Sequence, residues 1–132
     1  MNPRLHRVIM LTLCVLGAGF MGGVFTWDAP SGVGDWGVPG NWDVVGCIEA
    51  FCVPDSTSDD AIFPATFEVT LDDDYAIDDI TISDPGGDES DPGGVFDGDG
   101  TVFTVTADSI TLTGGAGGGA VAVKNKARIT TN

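Results

Sequence analysis

The chain has 132 residues, room for one domain, with 42% hydrophobic residues and a mean hydropathy of +0.19. Its 20 acidic residues against five Lys and Arg give a net charge of −15, and such a surface repels nucleic acid and anionic membrane, since both demand cationic contacts. The apolar content and the β-branched runs exclude a disordered chain, and the single histidine, His6, excludes a multi-histidine zinc site.

Met1 to Gly22 opens with Arg4, His6 and Arg7, continues through an apolar run from Val8 to Leu16, and ends on Gly17, Ala18 and Gly19. This is the charged, apolar and small-residue order of a secretory signal, with residues 1–19 removed and the mature chain beginning at Phe20. The run is too short for a spanning helix, which needs about 20 residues, although an uncleaved anchor is the competing reading. Cys14 follows bulky Leu13 where a lipoprotein signal would have a small residue, so lipidation is not expected. The location implied is secreted or cell-surface, with no membrane contact after cleavage.

Cleavage removes both N-terminal arginines and the histidine. Lys124, Lys126 and Arg128 then face 20 acids, a net charge of −17. Without a histidine base, a serine or cysteine nucleophile lacks its usual activator. Two carboxylates could in principle hydrolyse a glycoside, but nothing in the sequence singles out a pair, so no catalytic residue is assigned.

Residues 20–59 read as an aromatic and cysteine-bearing cap. From Thr26 to Asp43, Trp27, Trp36 and Trp42 are separated by Gly, Pro and Asp with no helical or strand period, as in an ordered loop. The three indoles are candidates for stacking sugar rings; the competing reading is that they bury one end of a β core. Cys47 and Cys52 are the two cysteines left after export and form a candidate disulfide. A C-x4-C spacing without a second pair or a histidine does not complete a metal site.

Residues 60–132 are strand-rich. Phe67, Val69 and Leu71 alternate with Glu68 and Thr70, and Ile80 and Ile82 alternate with Asp79, Thr81 and Ser83. Period two places the apolar set on one face. Asp72, Asp73 and Asp74 between the runs form a turn.

The order of Gly40-Asn41-Trp42, Pro54, Asp59-Asp60-Ala61-Ile62, Val69-Thr70-Leu71-Asp72 and Ile80-Thr81-Ile82 resembles a module of secreted bacterial surface proteins of the autotransporter-associated β-strand repeat type. A similar layout occurs in the eight-glycine domain ahead of some animal β-helices. The resemblance covers about half of the mature chain and implies the first rungs of a right-handed parallel β-helix; it transfers no catalytic residue. The insertion around Cys47 and the acidic stretch after Ser83 depart from it.

That acidic stretch, Asp84 to Gly100, repeats Asp-Pro-Gly-Gly at Asp84 and Asp91 and reads as a loop excursion. Asp84, Asp88, Asp91, Asp97 and Asp99 are candidate calcium ligands, since calcium takes hard oxygen donors; a solvated acidic loop is the alternative. Val102 and Phe96 stand where an EF-hand and a glycine-rich calcium repeat, respectively, would need glycine. No other cofactor is expected.

Val102–Val105 and Ser109–Thr113 are two further strands, Gly114–Gly119 is a corner, and Ala120–Thr131 returns to alternation. Asp79–Ile82, Ser109–Leu112 and Ala127–Thr130 look alike, with Ile80 and Ile110 30 residues apart and Ile110 and Ile129 19 apart. Stacked coils of a solenoid would bring Ile80, Ile110 and Ile129 into one interior column.

The expected fold is therefore all-β: the start of a right-handed parallel β-solenoid behind an aromatic-rich N-terminal cap, with an antiparallel β-sandwich as the alternative. The polar β-like run up to Asn132 has no visible closing cap, as if further chain or a partner covers it. Three functions fit: a non-catalytic structural or adhesive surface module, a carbohydrate-binding module using Trp27, Trp36 or Trp42, or the leading part of a β-helix polysaccharide-degrading enzyme. The partner expected is a cell-surface polysaccharide or the downstream part of a longer chain.

Overall fold

A computed structural model describes residues 22–45 and 52–132. The region read as a cap supplies three strands, β1 (Val24–Trp27), β2 (Val33–Asp35) and β3 (Trp42–Asp43), with short 3-10 turns at Pro30–Gly32 and Pro39–Asn41. Nine more follow: β4 (Asp60–Phe63), β5 (Phe67–Thr70), β6 (Tyr75–Ala76), β7 (Asp79–Ser83), β8 (Gly94–Asp97), β9 (Phe103–Ala107), β10 (Ser109–Thr113), β11 (Val121–Lys124) and β12 (Ala127–Thr131). The class is all-β, with small parallel and mixed sheets. Among the described residues no helix is long and apolar enough to cross a membrane.

The strands are dealt in turn onto three sheets, ordered β10-β7-β4-β1-β3, β11-β8-β5-β2 and β12-β9-β6. Every named pair is parallel except β1 with β3. Among the described residues, antiparallel pairing, which the sandwich alternative requires, is confined to that pair and to two isolated bridges in loops. In each sheet a strand's partner lies three strands along the chain, except where β3 folds back on β1.

Period-two alternation fixes which side chains are sealed. In β7, Ile80 and Ile82 point inward while Asp79, Thr81 and Ser83 are only half-buried. Ile80 lies in register between Ala61 and Ile110, and Ile82 between Phe63 and Leu112. Val69 and Phe96 are neighbours in the second sheet, as are Tyr75 and Val105 in the third. Ala61, Phe63, Val69, Tyr75, Ile80, Ile82, Phe96 and Val105 meet in one core with Trp36, Leu71 and Ile77, and each fully buried Ile, Val or Phe contributes about 1.5–3 kcal/mol.

Several expectations change. Residues 26–43 are not free of strand: β1 and β2 pair in parallel with β4 and β5, so the first aromatic segment is part of the sheets. A strand as short as β2, Val-Gly-Asp, carries too few residues to display a period. The excursion after Ser83 ends at Gly93 rather than Gly100, because Gly94–Asp97 forms β8 with Phe96 sealed in the core. Gly94 sits opposite Phe67, and a Cβ there would come within 2.7 Å of the Phe67 ring; the turn-like glycine is what admits that ring. Ile129 leaves the expected column, pairing with Val105 in the third sheet while Ile80 and Ile110 share the first. Ile110 itself is 37% exposed, because β10 is the outer strand of its sheet.

Candidate functional site

An aspartate recurs where the chain leaves one strand and enters the first sheet, twice as the first of an acidic pair. Asp59-Asp60 precedes or opens β4, Asp78-Asp79 does the same for β7, and Asp108-Ser109 for β10. Backbone bonds align them: the Asp78 N–H donates to the Asp59 carbonyl at 2.8 Å, and the Asp108 N–H to the Asp78 carbonyl at 2.6 Å. Strand pairing therefore stacks like charges at one corner, an arrangement that costs free energy unless something compensates it.

The members of this ladder are used differently. Asp59 is buried and fully committed, with Oδ1 accepting from the Gly23 N–H at 2.7 Å and Oδ2 from the N–H groups of Asp55 and Ser56. Asp79 Oδ1 accepts from the Ser109 hydroxyl, and Asp108 Oδ1 from the Asn132 amide. Asp60, Asp78 and Asp79 each offer one carboxylate oxygen, all within 4.8 Å of one another. Oδ1 of Asp60 is shut off from solvent and accepts no hydrogen bond. The Asp78 carboxyl is pushed above its usual range by loss of water contact and then by the charges of Asp79, Asp60 and Asp108.

The five aspartates suggested by the sequence stand elsewhere. Asp84 Oδ1 accepts from the Gly115 N–H, tying the start of the excursion to the glycine corner. Asp88 Oδ1 accepts from the Ser90 hydroxyl and from the N–H groups of Ser90 and Asp91, and those bonds hold its carboxyl below the usual range. Asp97 accepts from the Asn125 amide at 2.9 and 3.0 Å and from the Asp99 N–H, and lies 3.5 Å from Lys124 Nζ. Desolvation pushes the Asp97 carboxyl up, but those donors outweigh it and the net shift is downward. Asp91 stands in the excursion. None of the five belongs to the gathered group of three, the group found among the described residues.

The indoles are core. Trp27, Trp36 and Trp42 are all buried, with Trp36 5.0 Å from Trp42 and 5.1 Å from Tyr75, centroid to centroid. Each indole N–H is satisfied internally: Trp27 by the Gly32 carbonyl, Trp36 by Pro54, Trp42 by Trp36. No open face remains on which a sugar could stack, so the carbohydrate role assigned to these three residues is withdrawn. Cys52 is buried; Cys47, its expected partner, lies outside the described residues, as does the whole of 1–19.

The chain matches no known family, no curated protein and no solved structure. The chemistry therefore has to be read from the side chains themselves. The Tyr75 hydroxyl donates to Asp72 Oδ1 at 2.6 Å, and burial followed by that bond pushes its ionisation far up. The phenol stays protonated and acts as a cross-link, since Asp72 also accepts from the Gly37 N–H. Among the described residues, the acidic side chains close enough together to share a cation are those of Asp60, Asp78 and Asp79. The sequence signal for it is the acidic pair repeated just ahead of Ala61-Ile62-Phe63 and Ile80-Thr81-Ile82, a fainter signal than the denser acidic stretch after Ser83.

Proposed function

We propose that this chain is a non-catalytic structural or adhesive module of the secreted or cell-surface kind, built as the start of a right-handed parallel β-solenoid. The observation that carries the reading is the three-strand recurrence: β4, β7 and β10 follow one another in the first sheet, β5, β8 and β11 in the second, and β6, β9 and β12 in the third. A chain visiting three sheets in rotation makes one coil per round of three strands, and its side chains stack in columns. The buried indoles and Cys52 then act as the cap of the first coil, and a Cys47–Cys52 bridge would staple that cap after export.

A solenoid of this kind spends its inward residues on packing and leaves its outward ones to solvent and partners. Here those outward residues are mostly Asp, Thr and Ser, which keep an exported chain soluble through net charge. Among the described residues, strands β10, β11 and β12 each have one unpaired edge, where further strands or a surface partner would add. The layout shared with autotransporter-associated repeat modules points the same way, as does the signal-like start. A cell-surface polysaccharide is the partner class that fits an adhesive role, contacted through polar outward faces.

Protease treatment of intact producing cells, followed by antibody detection, tests the assignment. Loss of the signal from intact cells, or its recovery in the medium at a mass beginning near Phe20, supports it. Full-length chain protected inside the cytosol overturns it.

A further inference from the structure

We infer that Asp60, Asp78 and Asp79 form a binding site for a hard divalent cation, calcium in the first instance. Two independent observations meet here. Their oxygens lie within 4.8 Å of one another, and calcium bonds of about 2.3–2.6 Å span up to about twice that length between ligands on opposite sides of the ion. Separately, Asp60 Oδ1 is the one buried side-chain atom among the described residues that has no hydrogen-bond partner. A buried carboxylate oxygen without a donor is costly, and a cation removes that cost where no donor is available.

No protein cation does so. Among the described residues the ion pairs are those of Lys124, with Glu68 at 3.4 Å and Asp97 at 3.5 Å, and neither touches the corner. Three carboxylates crowded on adjacent parallel strands thus lack a counter-charge from the described residues. Asp60, like Asp78 and Asp79, is only partly buried as a residue although its Oδ1 is sealed, which leaves room for water to complete the six to eight oxygens calcium takes. The ion would bridge the starts of β4 and β7 and offset the repulsion built into the ladder. The inference does not depend on the surface-module reading, because it concerns binding by the purified chain.

The experiment uses the full exported chain, stripped with chelator and titrated calorimetrically with calcium chloride, and in parallel with magnesium chloride, at fixed ionic strength. Thermal unfolding is followed under the same conditions. A saturable calcium isotherm and a raised midpoint are expected. Losing an outer-sphere contact typically costs a metal site about 10–100-fold in affinity, so losing a ligand in Asp60→Asn or Asp78→Asn should cost at least the upper part of that range. Asp88→Asn, in the excursion, should bind as the parent does. Should Asp60→Asn fail to fold, the partly exposed Asp78 carries the assignment. Absence of a calcium isotherm in the parent chain overturns the site. So does binding that survives Asp60→Asn and Asp78→Asn, or a midpoint that rises on Asp60→Asn while calcium leaves the parent unmoved, which would mean that the corner holds a shared proton.

Discussion

Ile80 and Ile110 stand side by side in register on parallel strands β7 and β10, yet Ile80 is 0% exposed and Ile110 37%. The same side chain in the same column is sealed in one strand and half-open in the next because, among the described residues, β10 has no neighbour on its far side. Leu112 and Val123, on the outer strands of the first two sheets, are likewise open, at 49% and 48%.

Ile80→Asp should therefore unfold the chain, and Ile110→Asp should not. A carboxylate at position 80 would be unpaired between Ala61 and Ile110, costing several kcal/mol out of the roughly 5–15 kcal/mol that holds a domain together. At 110 it reaches water, and the midpoint should fall only slightly. Thr111→Asp, on the exposed face of β10, should be close to silent. Urea unfolding of the three variants gives the comparison. Equal losses at 80 and 110 would mean that the far side of β10 is covered in solution.

What could be read in advance follows from how much each signal depends on neighbours far away in the chain. Ile80 with Ile110 and Ile82 with Leu112 were legible as matched strands, because two Ile-Thr-Ile-like runs carry the period themselves. Ile129 departs from its expected column for the same reason: Arg-Ile-Thr has the look of those runs, but similarity of pattern does not say which sheet a strand joins. Phe96 was hidden among Asp and Gly, since one aromatic in a turn-rich stretch has no period. The corner of Asp60, Asp78 and Asp79 was hardest, because its members come together only through the pairing of β4 with β7.

Trp36→Ala is expected to be among the most damaging changes, at about 3–5 kcal/mol. The indole is 0% exposed, lies against Trp42, Phe63 and Tyr75, and donates to the Pro54 carbonyl. The folded chain should emit at short wavelength, resist acrylamide quenching and give no fluorescence change with soluble polysaccharides. Strong quenching in the native state would mean that the indoles are open after all.

Alkylation of the exported chain without reductant should label neither Cys47 nor Cys52. After reduction and unfolding both should react. Because the closed loop is short, reduction should lower stability by no more than the ~3 kcal/mol expected for a 15-residue loop. Labelling of both cysteines before reduction would remove the staple from the cap.

Acidification should first strengthen the fold and then weaken it. The Asp55 carboxyl is pushed above the ordinary value of 3.8 by burial and then by Asp59, so the native state holds its proton more tightly than the unfolded chain does. Stability from that group is complete below 3.8 and is lost as pH rises through its native value. Asp88 works in the opposite sense: Ser90 and the Asp91 N–H hold it below 3.8, so its contribution is present above that value and disappears as pH falls through its native value. The summed repulsion of a chain carrying −15 adds to the Asp55 effect. Midpoints measured in chelator from neutral pH downward should climb to a maximum in the mildly acidic range and then drop. Asp55→Asn should flatten the climb, and Asp88→Asn should soften the drop. A midpoint that falls steadily from neutral pH would show that the hydrogen-bonded carboxylates, rather than Asp55 and the excess charge, govern the acid response.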